Sequence, residues 1–346
     1  MKSSAASRDF KGQTPEQTPP TARARDRKPF AREVRRALVL ADSSKVQADA
    51  LLEDLEPWIG ARVGSVDVVR DLRTFTQDAE QRRGKPVADL PDLAIVLGGD
   101  GSILSCARAF ARHPVPTIGI NFGRVGFLAS VEMRDWEEAL EEVLSGRSVL
   151  EPRMRLTAEV NGHTGIGARK IALNDVLIER GAVQAMLTLS LRIGDQWVSD
   201  YRADGLILAT PSGSTAHSLA AGGPILAPSM RGIVVTPICP QSLSHRALVT
   251  HPDSVLHVRV EQTSGLTTLA VDGQGFQPLK EGDEVRVRRH NVAFPLLARP
   301  DSNPYRRVRE RLGWRGSFEP GIDLERFPAA PAPAADEAGF DENDVL

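Results

Sequence analysis

Leu93-Ala94-Ile95-Val96-Leu97-Gly98-Gly99-Asp100-Gly101-Ser102 reads as a buried strand running into a tight turn, and Ile103, Leu104, Ala107, Phe110 and Ala111 then recur at helical spacing. A strand of five apolar residues has no polar face to turn toward water. Both of its faces need cover, as in a parallel sheet layered with helices. Upstream, Ala37-Leu38-Val39-Leu40 gives a second short buried strand, followed by a helical stretch with Val46, Ala50, Leu51, Leu55 and Trp58 on one face. Downstream, Pro116-Thr117-Ile118-Gly119-Ile120 gives a third strand. Asp135 is placed to cap the next helix, with Glu138 three residues on and Trp136, Leu140, Val143 and Leu144 as its inner face. Strand, helix, strand, helix predicts a doubly wound α/β domain.

The period changes near residue 150. Met154, Leu156, Ala158 and Val160 alternate with polar residues, as do Leu187 to Ile193, Leu256 to Val260, and Val285 with Val287. Period two with a polar opposite face predicts antiparallel, half-buried strands and a second, mostly β domain. Asp301 to Trp314 is helical again. The expected organisation is a disordered tail at 1–34, an α/β domain at 35–149 with 296–316 packed back on it, a β domain at 150–295, and a disordered acidic tail at 317–346.

The chain has 346 residues, 41% hydrophobic and 25% charged, which suits about two globular domains. No apolar run approaches the length of a membrane span, and the opening MKSSAASRDFKGQTPEQTPP lacks the hydrophobic centre of a secretory signal. Cys106 and Cys239 are too few for a disulfide framework or a four-thiolate zinc site, which points to a reducing, cytoplasmic setting without membrane attachment. A net charge of −2 speaks against general nucleic-acid binding. That total conceals a basic start, ten Lys/Arg against four Asp/Glu over residues 1–36, and an acidic end, eight Asp/Glu against one Arg over 317–346. Arg outnumbers Lys 36 to 7, and no lysine adjoins Gly98–Ser102 in the sequence.

Gly98-Gly99-Asp100-Gly101-Ser102 lies where open α/β sheets bind ligands, at the carboxyl end of a strand. Glycines let the backbone approach a phosphate, and a helix start offers it free N–H groups. Asp100 is odd in an anion-binding loop. It makes sense as a general base or as a contact to a metal carried by the phosphates; the plainer alternative is a turn with Asp as helix cap. The familiar alternatives fail, since there is no G-x-x-x-x-G-K-[ST], H-E-x-x-H, C-x-x-C or G-x-S-x-G, and Gly165-Ile166-Gly167 lacks a third glycine. In Asn121-Phe122-Gly123-Arg124-Val125-Gly126-Phe127-Leu128, Phe127 either stacks on a planar ring or packs in the core. Leu173-Asn174-Asp175-Val176 sets two polar side chains in an apolar strand, costly without partners. The stretch from Arg202 through Asp204 to Thr215, Ala216 and His217, ending in Ala221-Gly222-Gly223-Pro224, reads as a second anion cradle.

These motifs, GGDGS, INFGRVGFL, LNDV, ADGLILATPSGSTAHSLAAGGP and VDGQ at Val271–Gln274, occur in order between Ala37 and Trp314 and together resemble the NAD kinases. That family phosphorylates the 2′-hydroxyl on the adenosine ribose of NAD. The resemblance implies an α/β domain followed by a β-sandwich, a site between them, a homodimer or homotetramer, ATP and NAD as substrates, and magnesium carried by ATP without direct protein ligands. It implies Asp100 as catalytic base and Gly98, Gly99, Gly101 and Ser102 as the phosphate loop. Phe127, Asn174, Asp175, Arg202, Asp204, Thr215, Ala216 and His217 would line the dinucleotide site. Ser102, Asp175, Ser212, His217 and Ala220 depart from the commoner Thr, Glu, Thr, Tyr and Ser. The rival readings are another GGDG kinase acting on a lipid or sugar, and an NAD-binding sensor without catalysis, which the intact Asp100 speaks against.

Overall fold

The computed structural model describes residues 28–42, 45–72, 74–76, 90–123, 126–162, 165–166, 169–181, 186–263 and 265–314. The expectation for residues 1–27 and 315–346 as tails, and those resting on Arg124, Val125 and Gly167, lie outside them. Leu93–Leu97 runs through the first sheet and is buried along its whole length. It pairs in parallel with Arg36–Ala41 on one side and Thr117–Asn121 on the other, and Ser65–Val69 continues the sheet beyond Arg36–Ala41. Alternate residues face opposite layers. Val39, Ile95 and Ile118 pack against the helices Val46–Gly60 and Trp136–Leu144, whereas Leu40 and Val96 pack against Ile103 and Cys106 of the helix Asp100–Ala109. An edge contact between Trp58 and Trp136 joins the first two helices.

Several expectations shift. The buried face of Val46–Gly60 is Ala48, Leu51, Leu52, Leu55 and Ile59, and Val46 is 83% exposed. Asp135 makes no side-chain cap, so the helix Trp136–Leu144 rests on its apolar face. The strand Phe294–Ala298 belongs to the first sheet, parallel to Thr117 and antiparallel to Val149–Arg153. It does not alternate because both its faces are buried: Phe294 and Leu296 enter one layer and Leu297 the other.

Residues 28–34 are not a tail. Lys28–Pro29 pairs with Val149–Leu150, Phe30 donates its N–H to the Ser148 carbonyl at 2.8 Å, and Phe30 and Val34 are 6% and 8% exposed in the core. The Asp92 carboxylate receives the backbone N–H groups of Arg35 and Arg36, both at 3.0 Å. Single apolar residues among charges leave no periodicity to read. A chain trimmed to residues 35–316 therefore loses two buried side chains, worth about 2 kcal/mol each. We expect its melting temperature to fall by several degrees while a chain of 28–316 keeps it; equal melting temperatures would show that the segment adds nothing.

The remaining strands form two antiparallel sheets. One contains Leu156–Gly162, Leu187–Ile193, Gln196–Ala203, Leu256–Gln262 and Glu284–Arg289. The other runs in the order Leu248–Thr250, Ile233–Ile238, Gly205–Ala209, Asp175–Arg180, Thr267–Val271, Gln274–Leu279. Leu189, Val258 and Val285 of the first interleave with Ile178, Leu206 and Val235 of the second in one core, which makes a β-sandwich. The final helix, Pro304–Leu312, begins where Asn303 Oδ1 accepts the N–H groups of Tyr305 and Arg306, and ends at Gly313, whose φ of 67° suits a glycine terminator. Among the described residues no helix is long and apolar enough to cross a membrane.

Candidate functional site: two carboxylate clamps around a cavity

Leu93–Leu97 delivers Gly98 and Gly99 to the carboxyl edge of the sheet. The Gly98 N–H reaches the Ile120 carbonyl at 2.9 Å, and a side chain on Gly98 would run into the Ser102 hydroxyl. Ser102 is buried, with Oγ 3.3 Å from Asp42 Oδ2. Gly101 faces open space. The lack of an adjacent lysine holds only in chain order. Lys45, which leads into Val46–Gly60, brings Nζ within 3.6 Å of where a Cβ on Gly99 would lie.

Asp100 does not cap its own helix, whose N-cap is Gly99 with no side-chain bond. Its carboxylate turns to the neighbouring loop instead. Oδ2 accepts the Phe127 N–H at 2.9 Å, and Oδ1 accepts those of Leu128 and Ala129, both at 3.0 Å. Gly126 is a glycine for a steric reason, because a methyl there would collide with the Asp100 carboxylate. A carboxylate offers about four lone-pair sites. Three are used, and Oδ2 retains one. Phe127 is half-buried, belongs to none of the three larger buried clusters, and faces the cavity described below.

A second clamp repeats the device. Asp272 Oδ2 accepts the Leu173 N–H at 2.8 Å, and Oδ1 accepts those of Asn174 and Asp175 at 2.7 and 3.1 Å. The φ of Asp272 is 50°, in the left-handed region that Asp tolerates better than most residues. So fixed, Asn174 Oδ1 and Asp175 Oδ1 are buried and make no hydrogen bond among the described residues. Unpaired buried oxygens suit a ligand that brings donors.

Burial, with the Asp272 charge behind it, pushes the Asp175 carboxyl up to about 6; His217, its Nδ1 3.9 Å away, pulls it back down. A carboxyl raised above its ordinary 3.8 favours folding in its protonated form. That contribution is complete below pH 3.8 and is lost as pH rises through about 6. Asp175→Asn is therefore expected to melt a few degrees above the parent at pH 7.5, at roughly 2–4 °C per kcal/mol relieved, and the gap should close toward pH 4. A gap independent of pH would show that the carboxyl is not held up by its surroundings.

The hydroxyl-rich stretch is only partly a cradle. Thr210 Oγ1 donates to the Leu173 carbonyl and accepts the Gly213 N–H, Ser214 Oγ donates to the Pro211 carbonyl and accepts the Leu226 N–H, and Ser218 bonds Thr236. All three hydroxyls are buried and brace their own chain. The polar groups that argued against core packing are satisfied internally, which corrects the reading of the whole stretch as an anion site. Arg202 and Asp204 do not join the others within one chain. Asp204 pairs with Arg180 at 2.6 Å, at the opposite end of the Asp175–Arg180 strand from Asp175, and Arg202 is exposed.

What the structure brings together is a cavity of about 290 Å³, walled by Asp100, Phe127, Asn174, Thr215 and Ala216, with Arg311 and Leu312 entering from the final helix. His217 begins the short helix beside it, with its side chain 59% exposed. Lys45 and Arg311 carried no sequence signal. Asp272 had one, in the VDGQ motif, without a role attached.

The profile of the ATP-NAD kinase N-terminal domain matches residues 24–148, and that of the ATP-NAD kinase C-terminal domain matches residues 173–298. The chain is similar to the NAD kinase of Rhodopirellula baltica, 37% identical over 281 residues that cover 81% of this chain and 87% of that protein. It is 39% identical to the NAD kinase of Magnetococcus marinus over 294 residues, 84% of this chain and 96% of that one. Among solved structures, yeast NADH kinase complexed with NADH superposes with a TM-score of 0.69 at 24% identity, covering 84% of this chain and 90% of that one. The Archaeoglobus fulgidus NAD kinase in complex with ATP gives a TM-score of 0.64 at 22% identity, over 81% of this chain and 100% of that one. These two likenesses show the fold.

Proposed function

The chain belongs to the NAD kinase family, and from that premise we propose how its own residues carry the reaction. It transfers the terminal phosphoryl group of ATP to the 2′-hydroxyl of the adenosine ribose of NAD, giving NADP. Such a transfer rests on positioning, charge neutralisation and activation of the attacking hydroxyl. The dinucleotide occupies the cavity between Asp100 and Asn174, whose unpaired Oδ1 accepts one of its donors. The free lone pair on Asp100 Oδ2 takes the ribose proton as the new bond forms. The ATP phosphates lie along Gly98–Ser102, below the Lys45 ammonium.

A magnesium ion carried by ATP would supply part of the charge neutralisation there, beside the Lys45 ammonium. The helix start at Gly98–Ser102 and the Lys45 ammonium present donors suited to phosphate oxygens, a set that fits a metal held by the nucleotide. We place the enzyme in the cytoplasm as a homodimer or homotetramer, in keeping with its family. The observation that carries the site assignment is the single cavity joining Asp100 to Asn174. Incubation of the purified full chain with NAD, NADH, or a panel of lipids and sugars as acceptor, ATP or polyphosphate as donor, and magnesium tests the reading. NADP from NAD and ATP is expected; phosphorylation of a lipid or sugar in its place overturns it.

A further inference from the structure

We propose that Arg311, carried into the cavity by the last turn of the final helix, binds the pyrophosphate of the dinucleotide and sets NAD affinity. The proposal rests on the placement of NAD in this cavity. Pro304, Arg307 and Val308 face a smaller void against Leu128, Pro211 and Pro228, and Arg311 and Leu312 follow one turn later on the same face. The helix is held at both ends by its Asn303 cap and by Gly313, and along its middle by the buried Arg307, 3.6 Å from Glu151. Its direction is thus set by contacts outside the cavity, and Arg311 is delivered there by a rigid element.

Charge makes the assignment specific. Among the described residues that line the cavity, Arg311 is the one cation and Asp100 the one carboxylate. Arg306 on the same helix pairs with Glu310 at 2.7 Å, while no carboxylate of the described residues lies within 4.0 Å of the Arg311 guanidinium. An arginine at a helix C-terminus is already favoured by the backbone dipole. An unpaired guanidinium facing a cavity for a dianionic pyrophosphate offers the planar fork that phosphate oxygens match. Lys45 stands on the Gly99 side and is not among the cavity's lining residues, so the two cations serve different phosphates.

Calorimetry with NAD alone, without ATP, tests the proposal on the full chain. Arg311→Ala should weaken NAD binding by about ten- to hundredfold, the usual range for a charge-assisted contact. Arg311→Gln should behave likewise, Arg311→Lys should recover part of the loss, and Arg306→Ala should bind as the parent does. In steady state KM for NAD rises by the same factor, while KM for ATP and kcat stay within about threefold. Added salt should weaken the parent more than Arg311→Ala. Unchanged NAD affinity in both Arg311→Ala and Arg311→Gln overturns the proposal, as does a rise confined to KM for ATP. A parent chain that does not bind NAD at all overturns the reading of the cavity itself.

Discussion

Asp100→Asn is expected to lower turnover by about 10² to 10⁴-fold, the usual cost of losing a general base, and to lower the melting temperature with it. The two effects have separate causes. Asparagine has one oxygen where aspartate has two. If that oxygen keeps the Leu128 and Ala129 N–H groups, the new amino group faces the Phe127 N–H, and two donors meet. Such a mismatch costs about 1–3 kcal/mol, hence a few degrees. It also shifts Phe127 against the cavity, so KM for NAD should rise, by less than about tenfold because the remaining walls are untouched. Loss of the base appears elsewhere, as a fall in kcat and kcat/KM together at saturating NAD and well below the melting temperature. A kcat within tenfold of the parent, with the melting temperature lowered, would make Asp100 a clamp for the Gly126–Ala129 loop and no more. An unchanged melting temperature with a large fall in kcat would mean that the clamp contributes little.

The first sheet was legible because buried parallel strands are unbroken apolar runs, and Leu93–Leu97 is one. The alternation of Leu187, Leu189 and Leu191 was legible for the opposite reason, since each strand of the sandwich keeps one wet face. Phe294–Ala298 was divided between two domains because a short apolar run carries no address: which sheet it joins depends on where the chain returns. The site was half legible. Gly98–Ser102 and Asn174–Asp175 stood out because their residue types are wrong for a plain strand or turn. The two clamps did not, because the partners of Asp100 and Asp272 are backbone N–H groups, which every residue but proline possesses. A hydroxyl is equally ambiguous: Thr215 walls the cavity whereas Ser214 and Ser218 brace the turn, and nothing in the letters distinguishes them. Lys45 and Arg311 lie about 55 residues before and 210 residues after Gly99, a separation that only a folded chain closes.

Asp272→Ala should be the most damaging of these changes to stability. It leaves the N–H groups of Leu173, Asn174 and Asp175 without their acceptor at a partly buried site. It also asks alanine to hold a φ of 50°, which costs about 1 kcal/mol. Against this stands some relief, because burial holds the Asp272 carboxyl above its ordinary range and its charge is therefore strained. Unpaired donors outweigh that relief, since each N–H group left without an acceptor costs about 1–3 kcal/mol and three are affected. At roughly 2–4 °C per kcal/mol the melting temperature should drop by about ten degrees or more. The variants then order themselves by mechanism. Asp272→Gly removes the backbone strain and keeps the loss of acceptors, so it should melt slightly above Asp272→Ala. Asp272→Asn restores one acceptor and should lie closest to the parent. NAD affinity should follow the same order, because the clamp positions Asn174 and Asp175. Should Asp272→Ala melt within two degrees of the parent, the three N–H groups must find other acceptors, and the clamp is not what holds this wall of the cavity.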